Sequence, residues 1–193
     1  MKTYLFIPLA ALLLAAGCQK DDPNAGLPAA TQTGANTAGC LINGQLFVAS
    51  GFGSGPGKVA GIGGGFAYDS AYYLRLNGKL GGQDGSLHIY LRSIPSYKTN
   101  SLIRTYLLNE QSAYMPASSP TQCRNYGAFF PNDNSGEAYI TNNIHVGKVD
   151  FTYANLVDLS RPITAGTFEF TAVSNRDPTK TLRVTSGRFD RQQ

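Results

Sequence analysis

Tryptophan is absent from this 193-residue chain, methionine and histidine appear twice each, and cysteine appears three times. Two histidines, His88 and His145, are little material for a metal centre, and both read as ordinary surface or hydrogen-bonded side chains. None of the cysteines belongs to a C-x-x-C unit, which argues against dithiol redox chemistry. Charged residues make up only 15% of the chain, and no run of Lys or Arg forms the footprint that nucleic acid requires. The hydrolase signatures G-x-S-x-G and H-E-x-x-H are missing as well. A phosphate-loop reading of residues 51–59 fails at two places: Phe52 stands where the first glycine belongs, and Val59 follows Lys58 where Ser or Thr belongs. No catalytic residue, cofactor or metal ligand is assigned on these grounds. Asp133, Ser135 and Glu137 bring oxygen donors suited to a hard cation, but without the spacing of a calcium-binding hand they read as a turn.

What the chain has in quantity is glycine (22), tyrosine (11) and phenylalanine (10), a balance that suits short strands and tight turns better than helices. Residues 41–48 read as two strands around the Asn43-Gly44 turn. Tyr72, Leu74 and Leu76 alternate with Tyr73, Arg75 and Asn77, while Leu87, Ile89 and Leu91 alternate with His88, Tyr90 and Arg92. This two-residue period belongs to a sheet with one apolar and one wetter face. Val149, Phe151 and Tyr153, then Phe168, Phe170 and Ala172, repeat the pattern. Residues 166–173 and 181–190, joined by a polar turn, read as an antiparallel hairpin. The glycine-rich residues 51–65 are expected to form turns or a mobile loop. The fold class is therefore all-β, an antiparallel β-sandwich or flattened barrel over residues 39–193.

The start of the chain is different in kind. Lys2 precedes an apolar run over residues 4–16, too short for a comfortable membrane span, and Leu14-Ala15-Ala16-Gly17-Cys18 closes it. Small residues give a peptidase access to the backbone, and the Cys18 thiol is a nucleophile for lipid transfer. The pattern looks like a bacterial lipobox, so residues 1–17 are expected to be a signal peptide and Cys18 the lipidated residue. The mature chain would hold 176 residues with a formal charge of +3. Residues 18–38, rich in Pro, Ala, Gly, Thr and Asn, read as a flexible tether.

With Cys18 acylated, Cys40 and Cys123 are the thiols that remain. An exported chain permits a disulfide between them, closing a loop of roughly 80 residues and contributing about 2–4 kcal/mol; two separately buried thiols are the alternative. A binding surface is the better functional candidate. Tyrosine offers a flat apolar face and a hydroxyl, which suits sugars and protein surfaces. Tyr73, His88, Tyr90 and Arg92 share the wetter face if their strands are neighbours.

On the residues 14–18 motif, the string Thr33-Gly34-Ala35-Asn36-Thr37-Ala38-Gly39-Cys40-Leu41-Ile42-Asn43-Gly44, and residues 166–173 with 184–190, the chain resembles small uncharacterised lipoproteins of Bacteroidota with a C-terminal all-β domain. That resemblance implies a diacylglyceryl thioether on Cys18, usually with an N-acyl chain such as palmitate. Gln19 follows the cysteine in place of an aspartate that can favour inner-membrane retention, and Lys20-Asp21-Asp22 is similar to the acidic export signals of surface lipoproteins in that group. The implied address is the outer membrane, facing outward or into the periplasm, and the implied role is an accessory or binding protein for an envelope protein or glycan. A purely structural lipoprotein and, more remotely, a glycan-directed hydrolase are the competing roles.

Overall fold

A computed structural model describes Asp22 and residues 24–67, 70–94, 102–110, 124–158 and 160–193. Residues 1–17, Cys18 and Cys123 lie outside these, as do Tyr68, Tyr97 and Tyr114. Eleven strands follow in chain order: β1 Thr37–Ile42, β2 Gln45–Val48, β3 Ile62–Ala67, β4 Ala71–Leu80, β5 Gln83–Arg92, β6 Thr105–Leu108, β7 Tyr126–Pro131, β8 Tyr139–Ile140, β9 Gly147–Asn155, β10 Ile163–Ser174 and β11 Thr181–Gln192. Among the described residues helical structure is confined to a 3-10 turn at Gly55–Gly57 and to Leu102, and no helix is long and apolar enough to cross a membrane.

Every pairing is antiparallel, in the order β2-β1-β11-β10-β8-β7-β5-β4-β3. β9 lies beside the first part of β10 and carries β6 on its far side. The sheet curls into a half-barrel, consistent with the expected flattened barrel or sandwich. Its two ends are tied together: the Gly51 N–H donates to the Asn77 carbonyl at 2.8 Å, and Arg191 Nε donates to the Gly64 carbonyl at 3.2 Å. Tight turns set the register. Asn43-Gly44 and Gly81-Gly82 all have positive φ, the twist that two-residue hairpins need. The β10–β11 hairpin forms as its pattern predicts.

The hollow of the curl is filled by the apolar members of the alternating strands: Leu74, Leu76, Leu87, Ile89, Leu91, Phe168 and Phe170 are all buried. A run of edge-to-face rings continues through Tyr72, Phe151, Phe189 and Tyr106, and such pairs add about 0.5–1.5 kcal/mol each beyond their buried area.

Two expectations need correcting. Residues 51–65 are not all turn and loop, because β3 begins at Ile62 and runs through three glycines. A β-carbon on Gly64, at φ +97°, would lie 2.0 Å from the Tyr73 carbonyl oxygen, so close approach of the paired strand requires glycine there. Nor do residues 24–36 run free as a tether. The buried Asp190 carboxylate accepts bonds from the Thr31 hydroxyl at 2.7 Å and from the N–H groups of Thr33, Gly34 and Ala35 at 2.8–3.1 Å. Asn36 Oδ1 accepts from Arg191 Nη1, and Leu27 and Pro28 lie against Gly39. Burial alone would raise the Asp190 carboxyl, but the Thr31 hydroxyl and three backbone N–H groups outweigh it and hold the pKa below its usual value.

Candidate functional site

The residues expected to form a wet aromatic face are brought together. Tyr73 pairs with Tyr90 and Tyr90 with Tyr126, while Arg75 pairs with His88 and His88 with Ala128. The expectation about water is corrected, however. His88 is 4% exposed and Tyr90 fully buried; Tyr73 is half-buried, and Arg92 reaches solvent. Tyr90 stacks on Tyr126 with centroids 5.9 Å apart, and with Ala71 and Ala128 they form a second apolar cluster. His88 packs against Phe130 at 4.8 Å and meets the edge of Tyr73, whose hydroxyl lies 3.2 Å from His88 Nδ1. Burial, helped by the Arg75 charge, pushes the His88 pKa down to about 3, so the ring is neutral. Burial likewise raises the Tyr73 hydroxyl, against the Arg75 charge. These groups hold a sheet together and offer little to a visitor.

The other expected positions are also accounted for. Cys40 is a free thiol, fully buried on β1, and burial pushes its pKa up; Cys123, its expected partner, lies outside the described residues. His145 sits in the turn before β9, where its N–H donates to Asn142 Oδ1. In the 133–137 loop, Asp133 Oδ1 accepts the Ser135 N–H, and Glu137 Oε1 accepts the Ser174 hydroxyl. The oxygens considered for a cation are engaged in holding the turn.

An open polar surface lies instead on the outer side of β6, β9, β10 and β11. Strand register builds it in three rows. Thr105, Asp150, Thr167 and Arg188 stand side by side across the four strands. Leu107, Lys148 and Glu169 form the second row. Val146, Thr171 and Arg183 form the third, the Thr171 N–H donating to the Val146 carbonyl and Thr171 pairing with Arg183. The register slips between Phe168 and Phe170, so Thr185 and Ser186 bulge opposite Glu169, and Ser186 takes φ +52°. A bulge bends its strand and re-aims the side chains around it. Here it adjoins two neighbouring hollows of about 380 Å³ each, which share Lys148 and Glu169. Arg188 and Asp150 line the first, Arg183 and Leu107 the second.

Lys148 Nζ lies 3.1 Å from Asp150 Oδ2 and 3.7 Å from Glu169 Oε1, and the Thr105 hydroxyl donates to Asp150 Oδ1. The Thr105 hydrogen bond, and after it Lys148, holds the Asp150 carboxyl below its usual range against some desolvation. Lys148 in turn is held above its usual range, first by its hydrogen bond to Asp150. Asp150 is therefore a fixed negative charge, the opposite of the raised carboxyl that a general acid for glycoside cleavage needs. The arrangement can bind by charge and hydrogen bonding. Sequence patterning puts Lys148, Asp150 and Glu169 on the outer face correctly. Neither the bulge nor the neighbouring strands are visible in it, and so neither are the hollows. Comparison with known proteins finds no family model, no curated protein and no solved structure that matches this chain.

Proposed function

We propose that this is a lipid-anchored envelope protein, tethered to the outer membrane through Cys18, that binds its ligand on the outer face of β9, β10 and β11. The observation that carries the reading is the pair of adjoining hollows on that face, lined by charged and hydroxyl side chains. Thr167, Glu169 and Arg183 are exposed there, and an exposed Lys148–carboxylate network contributes little to stability. A purely structural lipoprotein is the second reading, favoured by the burial of Tyr72, Tyr90, Tyr106 and Tyr126 in the fold.

The test has two parts. Labelled palmitate should enter the wild-type chain in its bacterial host and not Cys18→Ser, which should also leave the membrane fraction. The full-length chain in detergent micelles, immobilised, should then retain an envelope glycan or protein saturably, and Thr167→Trp with Thr171→Trp, which fill the two hollows with bulk, should abolish retention. Retention untouched by those substitutions, or none from a folded chain, favours the structural reading.

A further inference from the structure

Resting on the proposed binding face, we infer that the two hollows together take a linear acidic glycan, one anionic group seated at Arg188 and another at Arg183. The charges on the face are not equally available. Asp150 and Glu169 both lie within 4 Å of Lys148, so these three groups leave one net negative charge against the two guanidinium charges of Arg183 and Arg188. Among the described residues no carboxylate pairs with Arg183 or Arg188. The Arg188 guanidinium makes one bond, from Nη1 to the Pro28 carbonyl at 3.3 Å. A guanidinium has five N–H donors in a planar fork that matches a carboxylate or sulfate in two-point contact. The open binding capacity of the face is therefore cationic and bidentate, one fork per hollow.

Spacing turns two anion sites into one ligand. Arg183 and Arg188 are on the same strand, so about 15 Å of extended chain separates them, slightly less where the bulge shortens it. A single small anion cannot span that distance, whereas an oligomer with repeating charges can. The hollows meet at Lys148 and Glu169, which leaves a continuous path between the forks.

The chemistry of the walls separates a glycan from an acidic peptide. Bound peptides commonly draw affinity from backbone pairing at a sheet edge. At this face β10 is paired on both sides, by β9 and β11, and β11 is paired by β10 and β1. The ladder is spent along β10 and β11, the strands that carry Thr167, Thr171 and both forks. Between the forks, around the Lys148–Glu169 pair, the face presents the hydroxyls of Thr167, Thr171, Thr185 and Ser186, each both donor and acceptor. Such groups match a polyhydroxylated chain.

The experiment measures binding of oligogalacturonates of one to six units, of neutral maltohexaose and of polyglutamate to the full-length chain in micelles, by calorimetry at low and high salt. The expected result is hexamer affinity at least tenfold above both the monomer and maltohexaose, weakened by salt. Arg183→Ala and Arg188→Ala should each cost about tenfold, and Arg183→Lys should recover only part of it, since charge returns without the fork. Circular dichroism checks that each variant is folded. Equal affinity for monomer and hexamer overturns the two-fork site. Preference for polyglutamate makes the occupant an acidic peptide and overturns the glycan assignment. Maltohexaose binding as tightly as the acidic hexamer overturns the anionic character while leaving the binding face standing. No binding of any probe, with envelope retention intact, overturns this inference alone.

Discussion

Two sheet faces in this molecule carry the same alternating signature and have opposite fates. On β4 and β5 the second face, with Tyr73, His88 and Tyr90, forms an apolar cluster in which His88 and Tyr90 are buried. On β9, β10 and β11 the second face, with Lys148, Glu169 and Arg183, stays open and is hollowed by a bulge. Alternation tells which residues share a face; it does not tell which faces meet water. The composition of each face is the better guide. Tyr and His can enter a core once their polar atoms find partners, whereas Lys, Glu and Arg rarely do.

The contrast can be broken most severely at Tyr90. Tyr90→Ala should destabilise the fold by about 3–5 kcal/mol, the usual cost of removing a buried aromatic ring, read as a lower urea midpoint. A loss under about 1 kcal/mol would mean that the face is open after all.

His88 gives the same face a pH signature. Its folded pKa of about 3 is below the ordinary 6.5, so the unfolded chain binds the extra proton between these values. Stability from this group is complete above pH 6.5 and falls as pH drops towards 3, by up to about 1.4 kcal/mol per unit. His88→Gln should flatten that limb of the stability–pH curve. An unchanged slope contradicts a neutral, buried ring.

Asp190 on β11 tests the docking of the early segment. Its folded pKa is lowered, so its contribution is present above the ordinary 3.8 and is lost as pH falls through the folded value. Asp190→Ala should cost about 1.5–3 kcal/mol, the scale of hydrogen bonds to a charged group, and should open residues 31–36 to limited proteolysis. Cleavage there at the wild-type rate argues against the clamp.

The smallest effect belongs to the open face. Lys148→Ala should change stability by less than about 1 kcal/mol and should do so less at high salt, as exposed ion pairs do. A loss comparable to that at Tyr90 erases the distinction between the faces.

Much of the architecture was legible because it rests on local rules. The Asn43-Gly44 turn, the alternation of β4 and of β5, and the β10–β11 hairpin all follow from period two and turn chemistry, while the pairing of β4 with β5 comes from the structure. What stayed hidden depends on partners distant in sequence. Thr31 and Asp190 are separated by 159 positions, so nothing in the composition of the early segment reveals the carboxylate that orders it. β3 is masked by glycines that its close neighbour demands. The site was not legible: the sequence pointed to Tyr73, His88, Tyr90 and Arg92, and although alternation sets Lys148, Asp150 and Glu169 opposite the core side chains, the hollows come from strand order and from the bulge at Ser186.

Hydroxyl-radical footprinting of the full-length chain in micelles, read residue by residue by mass spectrometry, compares the two faces in one sample. Leu107 and Val146, exposed at the second hollow, should be labelled rapidly, while His88, Tyr90 and Tyr126 should be protected until the chain unfolds. Labelling of His88 and Tyr90 as fast as in the denatured chain, with Leu107 and Val146 protected, would reverse the assignment of the faces and return the binding surface to the aromatic side.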